Sequence, residues 1–410
     1  MDARSDLGKP FDNRHFRRLW FSVLISNIGS MAQVVGAGWM MVIITQSDTL
    51  IALVQASTTL PVMLFSLLTG ALADSVDRRR QMLAGQMLMF MTSVVLTATT
   101  YAGIVAPAFL LACTFLIGCG TALHLPATQA SIRDLVPREQ IPSAVALNSM
   151  SYNVTRSVGP ALGGILVAFA GPAAAFAANA VSYLPILLSL LIWDSPRAAP
   201  TKPREPILLA VATGVRYIAN SPYHSLLMAR AFLFSFAGVS VLALLPLVTR
   251  DAVGGDSSVY GALLSSFGAG AVGGVFAGLR LRRAIGNEAL VRATAIIFAM
   301  TLIVLTLTRS LWLTCICLVI IGACWVATMS LFNTAVQVST PQWVIGRSMA
   351  VYQTATFGGM AVGSWFWGMI TAASSLAVAL LSASAFVVAS LIPGLRQPLP
   401  SELDFDVDKR

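Results

Sequence analysis

Long apolar stretches recur along this 410-residue chain, and they constrain its fold more than any other feature of the sequence. A helix that crosses the hydrocarbon layer of a membrane needs about 20 mostly apolar residues, because only helices and closed barrels satisfy their backbone hydrogen bonds there. Twelve such spans are predicted, at 19–44, 49–73, 81–104, 107–130, 143–168, 172–193, 224–248, 258–279, 288–308, 311–333, 346–370 and 373–393. The sequence therefore predicts an all-α membrane protein.

The distribution of basic residues sets the expected orientation. A net charge of +9 could indicate nucleic-acid binding, but with the N-terminus inside, 21 of the 26 Lys and Arg residues fall in cytoplasmic segments. This is the positive-inside pattern of membrane proteins. We therefore expect a lipid bilayer and no nucleic acid as surroundings. Short outer loops favour a bacterial plasma (inner) membrane, with both termini cytoplasmic.

A proline-containing polar stretch divides the predicted spans six and six. Within it, the apolar run 207–218 predicts a short helix on the cytoplasmic membrane surface, and a loose tether is the alternative. The predicted parts are an N-terminal six-helix half at 1–193, a cytoplasmic linker at 194–223, a C-terminal six-helix half at 224–393 and a cytoplasmic tail at 394–410.

The two halves share residues at a constant offset of 204 positions. A few identities are weak evidence singly, but one offset across five helices and their loops indicates an internal duplication. The fold expected from this pattern is two pseudo-symmetric six-helix bundles. The superposed pairs are Gly70 with Gly274, Arg78 with Arg282, Arg79 with Arg283, Gly118 with Gly322, Pro137 with Pro341 and Gly159 with Gly363.

Residues 70–80 connect predicted spans two and three and combine a glycine, acids and three arginines. A small residue lets helices approach closely, and a carboxylate can interact with the N-terminal end of a neighbouring helix. The segment resembles the signature loop of the major facilitator superfamily, although Ser75 and Asp77 depart from it. The resemblance implies the major facilitator fold and a conformational latch in which Asp74 holds the start of span eleven. Its members are Gly70, Asp74, Arg78 and Arg79, and a plain topology anchor is the alternative.

Span five contains Gly159, Pro160, Gly163 and Gly164. Proline removes one helix hydrogen bond, and the glycines give a smooth face for a neighbouring helix. The segment resembles the Gly-Pro-x-x-Gly-Gly element of the superfamily's exporters, although Thr155 stands at the usual first glycine. Residues 126–139 further resemble the branch that contains the enterobactin exporter and drug-efflux proteins. Export is implied by these resemblances, and ordinary tight packing is the alternative.

Arg156 falls near the middle of span five, where a lone charge costs roughly 2.5 to 3.5 kcal/mol on insertion scales. It could face a cavity and bind an anionic or phenolic group of a substrate. It could equally bond helix carbonyls or polar neighbours such as Asn153 and Gln129. Arg230 and Arg292 lie nearer to span ends, where we expect them to reach the lipid headgroups.

Proton coupling has few candidate residues. Every Asp and Glu falls in a loop, a tail or a span end, and none lies in the interior of a predicted span. The arginine that the superfamily usually carries four residues before Gly118 is replaced by Thr114. His124 is the titrating candidate within the spans, since the unperturbed pKa of histidine, about 6.5, suits proton exchange. The alternative, which we favour, is that His124 is packed and hydrogen-bonded within the helix bundle. A coupling proton is therefore a candidate partner of the transporter.

The resemblance implies that spans one, four, seven and ten line a cavity, which span eleven can join. Amide side chains in these spans could bind a substrate or bond a neighbouring helix, and such bonds contribute only about 0.6 kcal/mol on average. The candidates for substrate binding or coupling are Arg156, His124, Asn27, Gln33, Gln129, Asn333 and Gln353.

No nucleotide-binding loop, metal-ligand cluster or catalytic constellation is found, so neither an enzyme nor a cofactor is expected. We predict a monomeric secondary active transporter that exports a small amphipathic or anionic molecule, a siderophore or antimicrobial compound, by alternating access. One rival is a broad multidrug efflux pump that binds apolar cargo. The other is a receptor or scaffold with a transporter fold but no flux. Residues that favour the pump are Met40, Met41, Met63, Trp325 and Trp365.

Overall fold

The computed structural model describes residues 8–75, 77–193, 207–341 and 344–399. Within these ranges the side chains at 70, 71, 73–75, 133, 138, 142, 149, 152, 153, 156, 157, 207–211, 279 and 396 are outside the description. The described residues form helices and connecting turns, and they contain no strand. The all-α prediction is therefore confirmed.

The first half of the chain contains long helices joined by short turns. They are α1 (Arg14–Ile44), α2 (Asp48–Ser75), α3 (Arg78–Tyr101), α4 (Pro107–Leu135) and the helix Ile141–Ile192. Gly171 breaks this last helix, with φ of 77° and ψ of 170°. Residues with a side chain rarely adopt such a positive φ, whereas glycine does so readily. We name the part before Gly171 α5 and the part after it α6.

The helix α7 (Ile207–Ala219) lies in the linker between the halves, and the second half follows it. The second half continues with α8 (Pro222–Leu247), α9 (Ser257–Ile285), α10 (Asn287–Leu307), α11 (Leu311–Ser339), α12 (Ile345–Ala373), α13 (Leu376–Ala389) and α14 (Ile392–Arg396). A π-helical turn, Val248–Val253, extends the end of α8. The short helix predicted at 207–218 thus corresponds to α7.

Ten helices of the described chain are long and apolar enough to cross a membrane. The break at Gly171 separates two of the predicted spans within one helix, and α12, with 29 residues, is not among the ten. The predicted set of twelve spans is compatible with this structure.

Glycine contacts within each half repeat at the offset found in the sequence. Gly118 brings α4 against α2 at the Thr58 carbonyl, and Gly322 brings α11 against α9 at the Phe267 carbonyl. In the same way α5 meets α1 beside Gly159, and α12 meets α8 beside Gly363. Equivalent helices therefore pack through equivalent small residues, as expected of a duplicated bundle.

The bundle has two ends of different character. Arginines at the start of α1, α3 and α12 and at the end of α9 lie at one end, which we call the basic end. Asp48, Gly171, Arg250 and Arg309 lie at the other, which we call the opposite end. The two halves meet along two seams, one between α2 and α12 and one between α5 and α9.

Candidate transport site

The glycines of α5 form two close crossings. A methyl group added at Gly159 would lie 2.6 Å from Met31 Cβ, and one at Gly163 would lie 2.6 Å from Ala32 Cα, so both positions pack on α1. One added at Gly164 would lie 2.7 Å from Gly261 Cα in α9, across the boundary between the halves. Pro160 is also buried, and its carbonyl faces Gly261. The sequence motif thus places a glycine pair on the α5–α9 seam.

A second contact between the halves lies near that pair, towards the opposite end. The Trp39 and Tyr260 rings stack with centroids 6.2 Å apart, and the Tyr260 hydroxyl sits beside Gly38. Tyr260 is 4% exposed. Asp256 caps the start of α9, and hydrogen bonds from the Ser258 hydroxyl and the Val259 amide lower the pKa of its carboxyl.

At the basic end, two arginines of the predicted latch bind within their own half. Arg78 Nη1 lies 2.7 Å from Asp134 Oδ2 at the end of α4. Arg79 donates from Nε to the Leu190 carbonyl at 2.6 Å and from Nη2 to the Leu191 carbonyl at 2.9 Å, at the end of α6. Cationic donors suit these carbonyls because the C-terminal end of a helix is partly negative.

For three residues of the predicted site, the structure describes the backbone but not the side-chain position. The α2 backbone includes Gly70 and Asp74, and the α5 backbone includes Arg156, but the structure describes no contacts for them. The contact of Asp74 with the start of α12 therefore stays a prediction. The two readings of Arg156 both stay open.

Gln33 belongs to a buried polar network inside the first half. Ser93 donates to Gln33 Oε1 at 2.9 Å, and the Asn179 amide also donates to that oxygen. Asn179 donates further to the Tyr183 hydroxyl at 3.1 Å. All four side chains are less than 5% exposed and join α1, α3 and α6. This geometry favours the helix-bonding alternative for Gln33 over substrate binding.

The other candidates have different settings. The His124 ring bonds Thr128 one turn along α4, at 3.0 Å from Nε2, and its backbone packs beside Gly85 of α3. Gln129 is exposed on α4. Asn333 accepts a hydrogen bond from Gln337 within α11. Asn27 on α1 and Gln353 on α12 are both half-buried.

Arg230 contradicts the expectation that it reaches lipid headgroups. Its side chain is 2% exposed and forms an ion pair with Glu288, with Nη2 at 3.0 Å from Oε2. The guanidinium also lies 5.4 Å from the centre of the Phe332 ring. Arg292 Nε binds the same carboxylate at 3.1 Å, and the Leu399 amide donates to it at 3.0 Å. Arg230 therefore joins α8, α10 and the segment after α13.

Most residues that favoured a multidrug pump pack inside the helix bundle. Met41 is fully buried, Trp325 is 5% exposed against Phe234, and Met63 lies beside Gly358. Met40 packs against the same core, whereas Trp365 is 46% exposed. These contacts give no support to a separate apolar binding surface.

Sequence reasoning missed the contacts that join the halves at the opposite end. Arg250 lies outside the predicted cytoplasmic segments, and it binds Asp48 in the other half at 3.0 Å. An acid at the start of span two and an arginine at the end of span seven were the available signals. No group of metal-ligating side chains occurs in the part of the chain that the structure describes.

These features define a class of protein before any comparison. Two related bundles of membrane-length helices, joined along two seams, form the fold of a major facilitator transporter. Residues 6–410 match the family model described as "Transmembrane secretion effector", and the chain belongs to that family. The predicted superfamily is confirmed, and this family consists of membrane transporters rather than enzymes.

Several known proteins are similar to this chain. The staphyloferrin A transporter of Staphylococcus aureus is 25% identical over 260 residues, 63% of this chain and 64% of that protein. The enterobactin exporter of Salmonella typhi is 27% identical over 285 residues, 64% of this chain and 63% of that protein. Each match thus spans less than two thirds of the relative's length. A bacterial homologue of the human lysosomal transporter Spinster has the same fold, with a TM-score of 0.71, 17% identity and 95% of each chain covered.

Proposed function

We propose that this transporter exports a small anionic or amphipathic molecule by alternating access between two halves, 1–193 and 224–393. The observation that carries the proposal is the uneven contact between the halves. At the opposite end they meet through Gly164 and Gly261 and through the Trp39–Tyr260 stack. Away from the two seams, α4 of one half and α11 of the other do not pack against each other in the described chain.

Uneven contact of this kind suits a rocking motion. The glycine pair lets α5 and α9 cross at backbone distance, so they can pivot there without interlocked side chains. The α2–α12 seam is polar where it runs towards the basic end, since Ser66 Oγ lies 2.9 Å from Thr354 Oγ1. We propose that the cargo enters between α4 and α11 from the basic end and leaves at the opposite end.

The orientation of the protein in the membrane is proposed from the arginines at the basic end. The basic end would face the cytoplasm of a bacterial cell, which places both termini there and makes transport towards the opposite end an export. The Arg78 to Arg80 cluster and Asp74 would then act at the cytoplasmic side, where Asp74 holds the start of α12 in one state of the cycle. The described contacts of Arg78 and Arg79 support a role in bracing α4 and α6 around that latch.

The proposed cargo is anionic or phenolic. The described acids occupy helix ends and turns, while the candidate lining side chains Gln129, Asn333 and Gln353 are neutral amides. Arg156 would supply the cation for an anionic group of the cargo. Two of the relatives are named for siderophores, which agrees with such a cargo. His124 is the proposed proton carrier if export is coupled to protons.

Uptake by inside-out membrane vesicles tests this proposal. The probes are iron-free enterobactin, as a phenolic cargo, and ethidium, as a lipophilic cation. Vesicles with the wild-type chain are expected to accumulate enterobactin above vesicles without it, and Arg156→Gln to abolish the difference. Accumulation of ethidium but not of enterobactin would contradict a siderophore cargo and indicate a multidrug efflux pump. Binding of either probe without accumulation would contradict export and support a receptor.

A further inference from the structure

An ion pair crosses between the halves at the opposite end. Asp48, in the first turn of α2, binds Arg250 Nη2 at 3.0 Å, and Arg250 lies on the π-helical turn that ends α8. One residue along, the Thr49 hydroxyl donates to the Gly368 carbonyl of α12 at 3.3 Å. The start of α2 is thus fastened to two helices of the other half.

Arg250 keeps a partner whether or not it binds Asp48. Within its own half, Nε lies 2.6 Å from Asp251 Oδ1 and Nη2 lies 2.9 Å from Asp251 Oδ2. Arg309, in the α10–α11 connection, donates from Nη1 to the exposed backbone carbonyl of Asp251 at 3.1 Å and does not contact the Asp251 carboxylate. If the halves separated, the Arg250 guanidinium would therefore still be paired with the Asp251 carboxylate.

Asp48 would also tolerate separation. It lies in the first turn of α2, where the partly positive N-terminal end of the helix stabilises a carboxylate. Its side chain is 25% exposed and that of Arg250 is 28% exposed, so water already reaches both groups. An ion pair of this exposure contributes little, about 0.2 to 1 kcal/mol. A contact of this strength can favour the form closed at the opposite end and still allow that end to open.

The backbone at Arg250 is itself unusual. Residues Val248–Val253 form a π-helix, and Gly254 follows with φ of 68°. π-helical turns are rare, and they occur frequently at functional sites. Here the turn carries Arg250 and Asp251 on successive positions, so that one guanidinium faces carboxylates from both halves.

From this geometry we propose that Asp48 and Arg250 form the gate of the opposite end, and that Asp251 holds Arg250 in place when the gate opens. This proposal rests on the proposed alternating access, and Asp48 and Arg250 would set the equilibrium between the forms closed and open at the opposite end. Loss of the pair releases the start of α2 from α8, which favours the form open at the opposite end.

The test is a distance measurement on the purified full chain in lipid nanodiscs. Nitroxide-bearing unnatural amino acids at Ala102 and Ser310 report the separation of the halves, because both positions are exposed at the opposite end, one in each half. The five cysteines stay in place. Asp48→Asn is expected to raise the ratio of long to short distances by about 1.4-fold to fivefold. Arg250→Gln is expected to do the same, and the double variant to add little.

Arg309→Gln is the matched control, since Arg309 also binds Asp251 but makes no described contact with the other half. It is expected to leave the distance ratio unchanged. An unchanged ratio in Asp48→Asn and Arg250→Gln would overturn the gate, as would an equal shift in Arg309→Gln. The measurement needs no cargo, so its failure is distinguishable from a failure of the vesicle uptake that tests export.

Discussion

Single charged residues show where sequence reasoning about a membrane helix reaches its limit. Arg230 lies near a span end, a position that ordinarily lets a long side chain reach the headgroups. The structure instead pairs it with Glu288, 58 residues further along the chain. Burial depends on which helices pack together, and that is a tertiary property. The sequence did contain one signal, an acid in the first turn of span nine.

Removal of Arg230 is expected to destabilise the protein strongly. Arg230→Gln would leave a mostly buried Glu288 carboxylate without its buried partner, and breaking such a pair costs about 3 to 5 kcal/mol. The measurement is the thermal unfolding midpoint of the purified protein in detergent. Arg292→Gln is the control, because Arg292 binds the same carboxylate but is 42% exposed, and its loss should cost at most about 1 kcal/mol. Equal midpoints for the two variants would refute the buried role of Arg230.

Arg79 caps the C-terminal end of α6 from a neighbouring helix. Arg79→Ala removes two donors from the last carbonyls of α6, and we expect the local stability of that helix end to fall by about 0.3 to 1 kcal/mol. Arg80→Ala is the control, since Arg80 is 77% exposed and lies 4.0 Å from Asp77. Hydrogen exchange at the end of α6 measures the effect. Faster exchange in both variants, or in neither, would contradict the assigned cap.

Helix crossings give a second prediction. A methyl group at Gly261 would lie 2.7 Å from the Pro160 carbonyl oxygen, whereas one at Gly273, on the same helix, meets nothing within 4 Å. Gly261→Ala is therefore expected to lose about 1 to 3 kcal/mol of stability through overpacking at the α5–α9 seam. Gly273→Ala should be neutral or slightly stabilising, because alanine favours a helix. Unfolding midpoints of both variants decide the matter, and a stable Gly261→Ala protein would exclude a tight crossing.

The elements were largely predictable, and the site was not. Apolar length and charge placement predicted the helices, including the separation near Gly171 and the linker helix, because those signals are local in sequence. Gln33 illustrates the difficulty at the site. An amide in span one can face a cavity or a neighbouring helix, and only the packing of Ser93 and Asn179 against it distinguishes the two. The Asp48–Arg250 pair depends likewise on how the halves meet.

The whole molecule is a duplicated bundle with unlike ends. Equivalent glycines join equivalent helices in each half, as at Gly118 and Gly322, so the duplication extends from sequence to packing. Between the halves, the Trp39–Tyr260 stack and the Asp48–Arg250 ion pair lie towards the opposite end, whereas the Ser66–Thr354 hydrogen bond lies nearer the basic end. The proposed alternating access requires unlike contacts at the two ends, because a transporter that rocks its halves closes one end while the other is open.

Export by this protein can be measured by comparing the metabolites of the spent medium with those of the cytosol. Cells with the gene deleted are compared with cells that carry it again, under iron-replete and iron-starved growth, by mass spectrometry. We expect at least one small anionic or phenolic metabolite to move from the medium to the cytosol on deletion and to return to the medium when the wild-type gene is restored. Unchanged metabolite distributions in both growth conditions would refute export.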